Sequence, residues 1–319
     1  MLGLTTLATY ENLLTTTAPF DSPRGRIGYP RLDAKDVWSA ISLAKIHSRF
    51  IRLYFNAGNN QLVRRNIIAE RIRTGKPALG LALQTFNPIM IQAIGDTGIH
   101  FIWLDLEHGG PSPYDTVALE NLTRTAEGAG LATLARIPEN NPRMITKVLD
   151  AGINSVLLTG IDQKSDAEKA VCASRFLSSG KYPPRGAGVS HATDWKSLTY
   201  ETAKALDGET LLGIMIESKE TVNNIGDIAS VEGLDFAFIG PTDLSVSLEV
   251  PFDRKGKVVE EAIEKATNTA REHDLILGRA ASSSEDAQKA LNQGYRIVRL
   301  GFDTTIVAST IKDLVGSLK

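Results

Sequence analysis

The chain has 319 residues, 42% hydrophobic and 23% charged, a balance that excludes collagen-like, low-complexity and disordered classes. Lys and Arg total 35 against 37 Asp and Glu, a formal charge of −2, so no basic field exists to hold nucleic acid or an anionic membrane. No apolar run approaches the roughly 20 residues of a membrane helix. The single cysteine, Cys172, rules out an internal disulfide framework, reads as a buried inert thiol and fits a reducing compartment, so a cytoplasmic protein is expected.

Residues 1–65 read as an N-terminal helical extension ahead of one catalytic domain at 66–319. The basic stretch DVWSAISLAKIHSRFIRLYF within the extension is either a docking helix or part of a mitochondrial presequence. From residue 77 a short apolar run, a polar loop and a stretch of helical periodicity recur. The runs are PALGLALQ (77–84), IHFIWLDL (99–106), LATLARI (131–137) and INSVLLT (153–159), then LLGIMIE (211–217), LDFAFI (234–239), LILGRA (275–280) and YRIVRL (295–300). Each is nearly unbroken in hydrophobicity, as parallel strands covered on both faces require. Helical stretches fall near 87–97, 115–128, 142–151, 165–176, 219–229, 257–273, 283–293 and 304–317. Asn87-Pro88 and Asn141-Pro142 are cap and first-turn signals, and Ser165 and Ser284 stand where N-caps belong. Gly98, Gly130, Gly152 and Gly294 fall where a left-handed residue ends a helix.

Eight such units over about 240 residues predict a (β/α)₈ TIM barrel, and no Gly-x-Gly-x-x-Gly follows the first strand to favour an open dinucleotide-binding sheet. The longest insertion, 177–210 with KYPPRGAGVSH, is expected to be a lid, a substrate loop or a subunit contact.

In such a barrel the chemistry belongs at the C-terminal ends of the strands. The polar residues assigned there are Asp105, Glu107 and His108 after the second strand, Arg136 ending the third, Asp150 beyond it, Glu217 ending the fifth and Asp243 after the sixth. Glu217 and Asp243 lie 26 positions apart, one β/α unit, on adjacent strands of one opening. Two carboxylates without a nearby His or Cys are hard ligands that suit Mg²⁺ or Mn²⁺ better than Zn²⁺. Equally, Glu217 could pair with Arg136 or Arg299, and Asp243 could cap a short helix after Gly240-Pro241. His108, beside Gly109 and Gly110, is either structural or a proton carrier. Arg136 at the end of an apolar strand needs an anion, such as a carboxylate or an enolate oxygen. Lys164 is the one lysine to consider for a Schiff base, and its polar loop offers nothing to depress its pKa.

In their order these residues resemble the HpcH/HpaI family of metal-dependent (class II) pyruvate aldolases, in the phosphoenolpyruvate/pyruvate barrel superfamily. The resemblance spans about residues 66–315, through FIWLDLEHGGPSPYD, ARIPENNPRMITKVLDAG, GYRIVRLGFDT and, most specifically, IMIESKETVNNIGDIASVEGLDFAFIGPTDLS. It implies Glu217 and Asp243 as ligands of Mg²⁺, Mn²⁺ or Co²⁺, Arg136 holding the pyruvyl oxygens, and His108 in acid/base work. Asp105 and Asp150 would support His108 or a water, and Gly240, Pro241, Thr242 and Asp243 would cradle the substrate carboxylate. The implied reaction makes or breaks a C–C bond between a metal-bound pyruvate enolate and an aldehyde, with oxaloacetate decarboxylation as a side activity. The implied assembly is a homo-oligomer, a trimer of dimers with the last helix packed on a neighbour.

Met215 replaces a common glutamine, Thr159-Gly160 replaces a Pro-Met type ending, and the segment after YPPRG lacks a usual second arginine. These departures point to the acceptor side of the pocket. They keep open a macrophomate-synthase-like enzyme joining an oxaloacetate-derived enolate to another electrophile; separately, the Glu-His-Gly run at 107–109 speaks against an acyl-CoA lyase, and the retained polar set against a non-catalytic oxo-acid-binding barrel.

Overall fold

A computed structural model of the chain describes residues 63–318, so the extension expected at 1–65 lies, up to residue 62, outside the described residues. The strands are β1 (Ala78–Leu83), β2 (Phe101–Asp105), β3 (Ala132–Ile137), β4 (Ser155–Leu158), β5 (Leu211–Ile216), β6 (Phe236–Ile239), β7 (Ile276–Ala281) and β8 (Ile297–Phe302). All eight pair in parallel with their neighbours, and β8 returns to β1, closing the barrel. The eight-stranded expectation holds run by run.

The helices are α1 (Ile67–Arg73), α2 (Pro88–Ile94), α3 (Thr116–Gly128), α4 (Pro142–Asp150), α5 (Lys164–Ser174) and α6 (Tyr200–Glu209). They continue with α7 (Lys219–Ala229), α8 (Pro241–Ser247), α9 (Lys257–Glu272), α10 (Ser284–Asn292) and α11 (Asp303–Gly316). Asn87 and Asn141 cap α2 and α4 with Pro following, and Gly98, Gly130, Gly152 and Gly294 all have positive φ. The two serine caps are displaced. Gln163 caps α5 through a box with Asp166, and Ser283 caps α10 by accepting from the Asp286 amide.

Alternation along each strand divides the core. Phe101, Trp103, Leu134, Leu157, Met215, Phe236, Phe238 and Ile297 fill the barrel, while the opposite residues of each strand pack against the helices. The interior relies on Gly beside Phe: a Cβ on Gly80 would meet the Phe101 ring at 2.3 Å, and one on Gly213 would meet the Phe236 ring at 2.3 Å. Each missing side chain is the space its neighbour's ring occupies. α1, which the sequence did not announce, closes the N-terminal end of the barrel. Ile68 and Ala69 join the interior cluster, while Asn66 Nδ2 donates to Asn154 O, Ser155 Oγ and Glu209 O at the starts of β4 and β5. Arg73 pairs with the buried Glu209 at 2.8 Å.

The insertion at 177–210 also belongs to this end, which corrects one expectation and narrows another. Its last third is α6, and the preceding loop folds beneath the barrel. Buried Arg185 pairs with Asp150 and its guanidinium stacks on Phe176, and the buried His191 ring meets Ala151 O at 2.9 Å. It is therefore no lid over the C-terminal end of its own barrel. At that other end Asp303, 2% exposed, accepts from the Gln84 and Thr85 amides and from Thr85 Oγ1, latching the end of β8 to the loop after β1. Cys172 is buried as expected, with Ser178 Oγ 3.3 Å from its Sγ. No helix among the described residues is long and apolar enough to cross a membrane.

Candidate active site

The C-terminal ends of β2, β3, β5 and β6 converge on one mouth, and they bring most of the expected residues with them. Asp105 is the last residue of β2 and stands in register with Arg136 on β3. Arg136 Nε donates to Asp105 Oδ1 at 3.0 Å and Nη2 to Oδ2 at 2.6 Å, a two-pronged contact. Its Nη1 lies 3.0 Å from Glu107 Oε2. Burial alone would raise the Asp105 carboxyl; the hydrogen bond and charge of Arg136, with the His108 and Glu107 amides, outweigh it and hold the group below its ordinary value. Burial likewise works against the Arg136 cation, but Asp105, Glu107 and Glu217 more than compensate and raise its pKa.

Asp105 therefore holds the arginine and shapes the turn carrying His108, since its Oδ1 accepts from the amides of both Glu107 and His108. The His108 ring itself is 65% exposed, with Nε2 3.6 Å from Glu107 Oε2, so it is free to meet a substrate at the mouth. Glu107, expected at this mouth but given no role in it, thus bridges arginine and histidine.

Glu217 directly follows β5, and Asp243 is in the first turn of α8, just beyond β6. Glu217 Oε1 accepts from the Gly160 amide at 3.1 Å, a contact that nothing in the residue types announces. Neither Arg136 nor Arg299 forms an ion pair with Glu217, so the salt-bridge alternative is not realised among the described residues. Burial pushes the Glu217 carboxyl up to about 7; Gly160 opposes this, Glu107 and Asp243 add to it, and Arg136 opposes it.

Gly240 is what allows Glu217 and α8 to approach. A Cβ there would meet Glu217 Cβ at 3.1 Å and Met215 Cγ and Sδ at 3.2 Å. Pro241 opens α8, and the Thr242 and Asp243 amides fall in a first turn that offers them no acceptor of its own. Asp243 is exposed to the mouth, and its side chain does not cap α8, whose N-cap is Gly240. No cluster of three or more His, Cys, Asp or Glu side chains with metal-holding geometry occurs among the described residues. Glu217 and Asp243 are hard oxygen donors that fit a divalent cation retaining open positions for water or substrate.

Asp150 does not belong to this group. It ends α4, and a helix following a barrel strand runs back along it, so its last residue lies at the N-terminal end of the sheet. There its carboxylate is committed to Arg185. Lys164 opens α5 after β4, and no hydrogen bond or ion pair among the described residues ties its amine to the mouth.

A family model described as HpcH/HpaI aldolase/citrate lyase matches residues 79–310. The 5-keto-4-deoxy-D-glucarate aldolase of Shigella sonnei is 30% identical over 236 residues, covering 73% of this chain and 89% of that protein. The solved citrate synthase SbnG is 26% identical with a TM-score of 0.68, over 78% of this chain and 95% of its own. An HpcH/HpaI aldolase/citrate lyase family protein from Burkholderia cenocepacia is 25% identical with a TM-score of 0.71, over 79% of this chain and 99% of its own.

Proposed function

The chain belongs to the HpcH/HpaI aldolase/citrate lyase family and is a carbon–carbon lyase, and we propose that its barrel mouth converts a pyruvyl unit to the enolate and joins it to, or releases it from, an aldehyde. The observation that carries this reading is the meeting of Glu217, Asp243, Arg136 and the exposed His108 at one end of the sheet.

Glu217 and Asp243 would hold the divalent cation, Mg²⁺, Mn²⁺ or Co²⁺. When bound, it supplies Lewis-acid stabilisation of the negative charge that develops on the oxo-acid oxygens. The amides of Thr242 and Asp243 bind the substrate carboxylate. Arg136, kept in place by Asp105, directs the rest of its fork at the oxygen that gains charge as the α-carbon loses its proton or its bond to the aldehyde carbon. His108 carries the proton to or from the hydroxyl of that aldehyde-derived carbon, and its exposure lets the proton pass to solvent between turnovers. The same enolate forms when oxaloacetate loses CO₂, so oxaloacetate decarboxylation is expected beside the main reaction.

Exchange of the pyruvate methyl protons in D₂O, followed by NMR with and without Mg²⁺, Mn²⁺ or Co²⁺, tests this reading. Metal-dependent exchange, falling by at least about a hundredfold in Glu217→Ala, is the expected result. Absence of exchange with every metal would overturn it.

The last helix supports an oligomer. Val307, Ile311, Leu314, Val315 and Leu318 recur on α11 and the residues after it at helical spacing, and all are exposed, Leu318 by 86%. An apolar stripe that no other described residue covers is matched to a second copy of the chain, in a homo-oligomer built as a trimer of dimers. Sedimentation equilibrium is expected to give a multiple of the 34.5 kDa chain mass, whereas a strict monomer at micromolar concentration would contradict the assembly.

A further inference from the structure

Arg299 sits inside the same barrel and has no role in the chemistry above. It alternates with Ile297 on the interior face of β8, and its partners in register are Gly80 on β1 and Ala280 on β7, so only small residues flank it. Its guanidinium lies 4.4 Å from the Phe302 ring centroid and 5.7 Å from that of Trp103. Its one hydrogen bond among the described residues is a long one, Nη1 to Gly301 O at 3.4 Å, and no described carboxylate lies within ion-pair distance. The acid whose charge reaches it, Asp105, already has both oxygens on Arg136.

A partly buried guanidinium is normally matched by a carboxylate, because removing the charge from water without a partner is costly. Here the other strong influence is a second cation. Burial and the nearby Arg136 together lower the Arg299 pKa to about 10, which leaves it charged at neutral pH. Two aromatic rings hold the plane of the fork while most of its N–H groups stay unclaimed. Salt bridges elsewhere account for Arg73, Arg175 and Arg185, each with its own carboxylate, so the arrangement at Arg299 is not the habit of this chain's buried arginines.

We propose that Arg299 is the receptor for a second carboxylate on the substrate, so that the enzyme acts on compounds carrying an anionic group beyond the 2-oxo acid itself. This rests on the reading of the mouth as an oxo-acid site and assigns the residue that selects a second carboxylate there. The first carboxylate lies toward the β5–β6 side with Glu217 and the α8 amides, and the second reaches across to β8. Aromatic rings around the guanidinium exclude water from the contact and strengthen it.

Calorimetric titration of the full chain in Mg²⁺ buffer with length-matched pairs tests this without relying on turnover: malonate against propionate, succinate against butyrate, glutarate against valerate. At least one diacid is expected to bind about tenfold or more tightly than its monoacid, as one charge-assisted contact supplies. In Arg299→Gln that preference falls to about one, and in Arg299→Lys, which keeps the charge and loses the fork, it falls partway. No preference in the unaltered protein, or a full preference in Arg299→Gln, would overturn the proposal. Should Arg299→Gln fail to fold, the Arg299→Lys ratio decides, an undiminished ratio counting against the arginine fork. Pyruvate exchange in the unaltered protein is measured in parallel: exchange without diacid preference sinks only the Arg299 assignment, and diacid preference without exchange sinks only the lyase reading of the mouth.

Discussion

Glu217→Gln is expected to make the metal-free protein more stable at pH 8 while abolishing its response to a divalent cation. The native carboxyl titrates at about 7 instead of 4.5, chiefly because it is buried. Between these two values the folded chain holds a proton that the unfolded chain has released, so the contribution of this group to stability declines as pH rises from about 4.5 to about 7. At pH 8 the ionised side chain is a liability of about 2–3 kcal/mol, which a neutral amide of the same shape removes while keeping the Gly160 contact. For a domain of this size that corresponds to a rise in Tm of about 5 °C. Thermal melts of both proteins in chelator from pH 5 to 8 check it; parallel pH profiles, or a variant no more stable than the parent at pH 8, would contradict the burial argument. The same proton competes with the cation. Metal affinity of the parent should increase with pH up to about 7 and then level, with proton uptake by the buffer detectable at pH 6 and nearly absent at pH 8.

Arg136→Met carries the second large effect, in the opposite direction for stability. It strips Asp105 and Glu107 of their cation in a half-buried setting, and breaking one partner from such a pair costs about 3–5 kcal/mol. The Asp105 carboxyl is depressed in the native protein, so the stabilisation it gains from Arg136 is present above its ordinary range and disappears as pH falls through its folded value. The stability gap between parent and variant should therefore narrow in acid. Pyruvate exchange should fall by about 10²–10³-fold, the loss that follows removal of a donor to developing negative charge. Arg136→Lys separates charge from geometry: it restores part of the stability but cannot grip both Asp105 oxygens while presenting further donors. Full exchange in Arg136→Lys would show that the fork has no role.

The barrel was legible because its strands are short apolar runs covered on both faces, and Asn-Pro and Gly mark the helix ends on the local chemistry of caps alone. That Glu217, Asp243, Arg136 and His108 share one end of the barrel could be read from the sequence, because strand ends in such a barrel face one way. The same logic misled at Asp150: its distance from Arg136 along the chain is one helix, and a helix brings the chain back to the opposite end. α1 escaped because seven residues give too little periodicity, although Asn66 before IIAERIR is an N-cap signal. The loop after α5 escaped because length alone does not say which end of a barrel an insertion covers. Arg299 was visible only as a conceivable partner for Glu217. Its interior position follows from the parity of β8, but the absence of a carboxylate opposite it depends on Arg136 having engaged both oxygens of Asp105.

The latch at Asp303 has a consequence for biosynthesis. β1 cannot acquire its second neighbour until β8 has been made, and Asp303 meets Gln84 and Thr85 across 219 and 218 positions of chain. A nascent polypeptide emerging from the ribosome therefore carries an unpaired edge and an open interior through nearly the whole of translation, a state prone to aggregation. Closure is a late event, and a stop codon anywhere before residue 303 yields not a smaller enzyme but a client for chaperones and proteases.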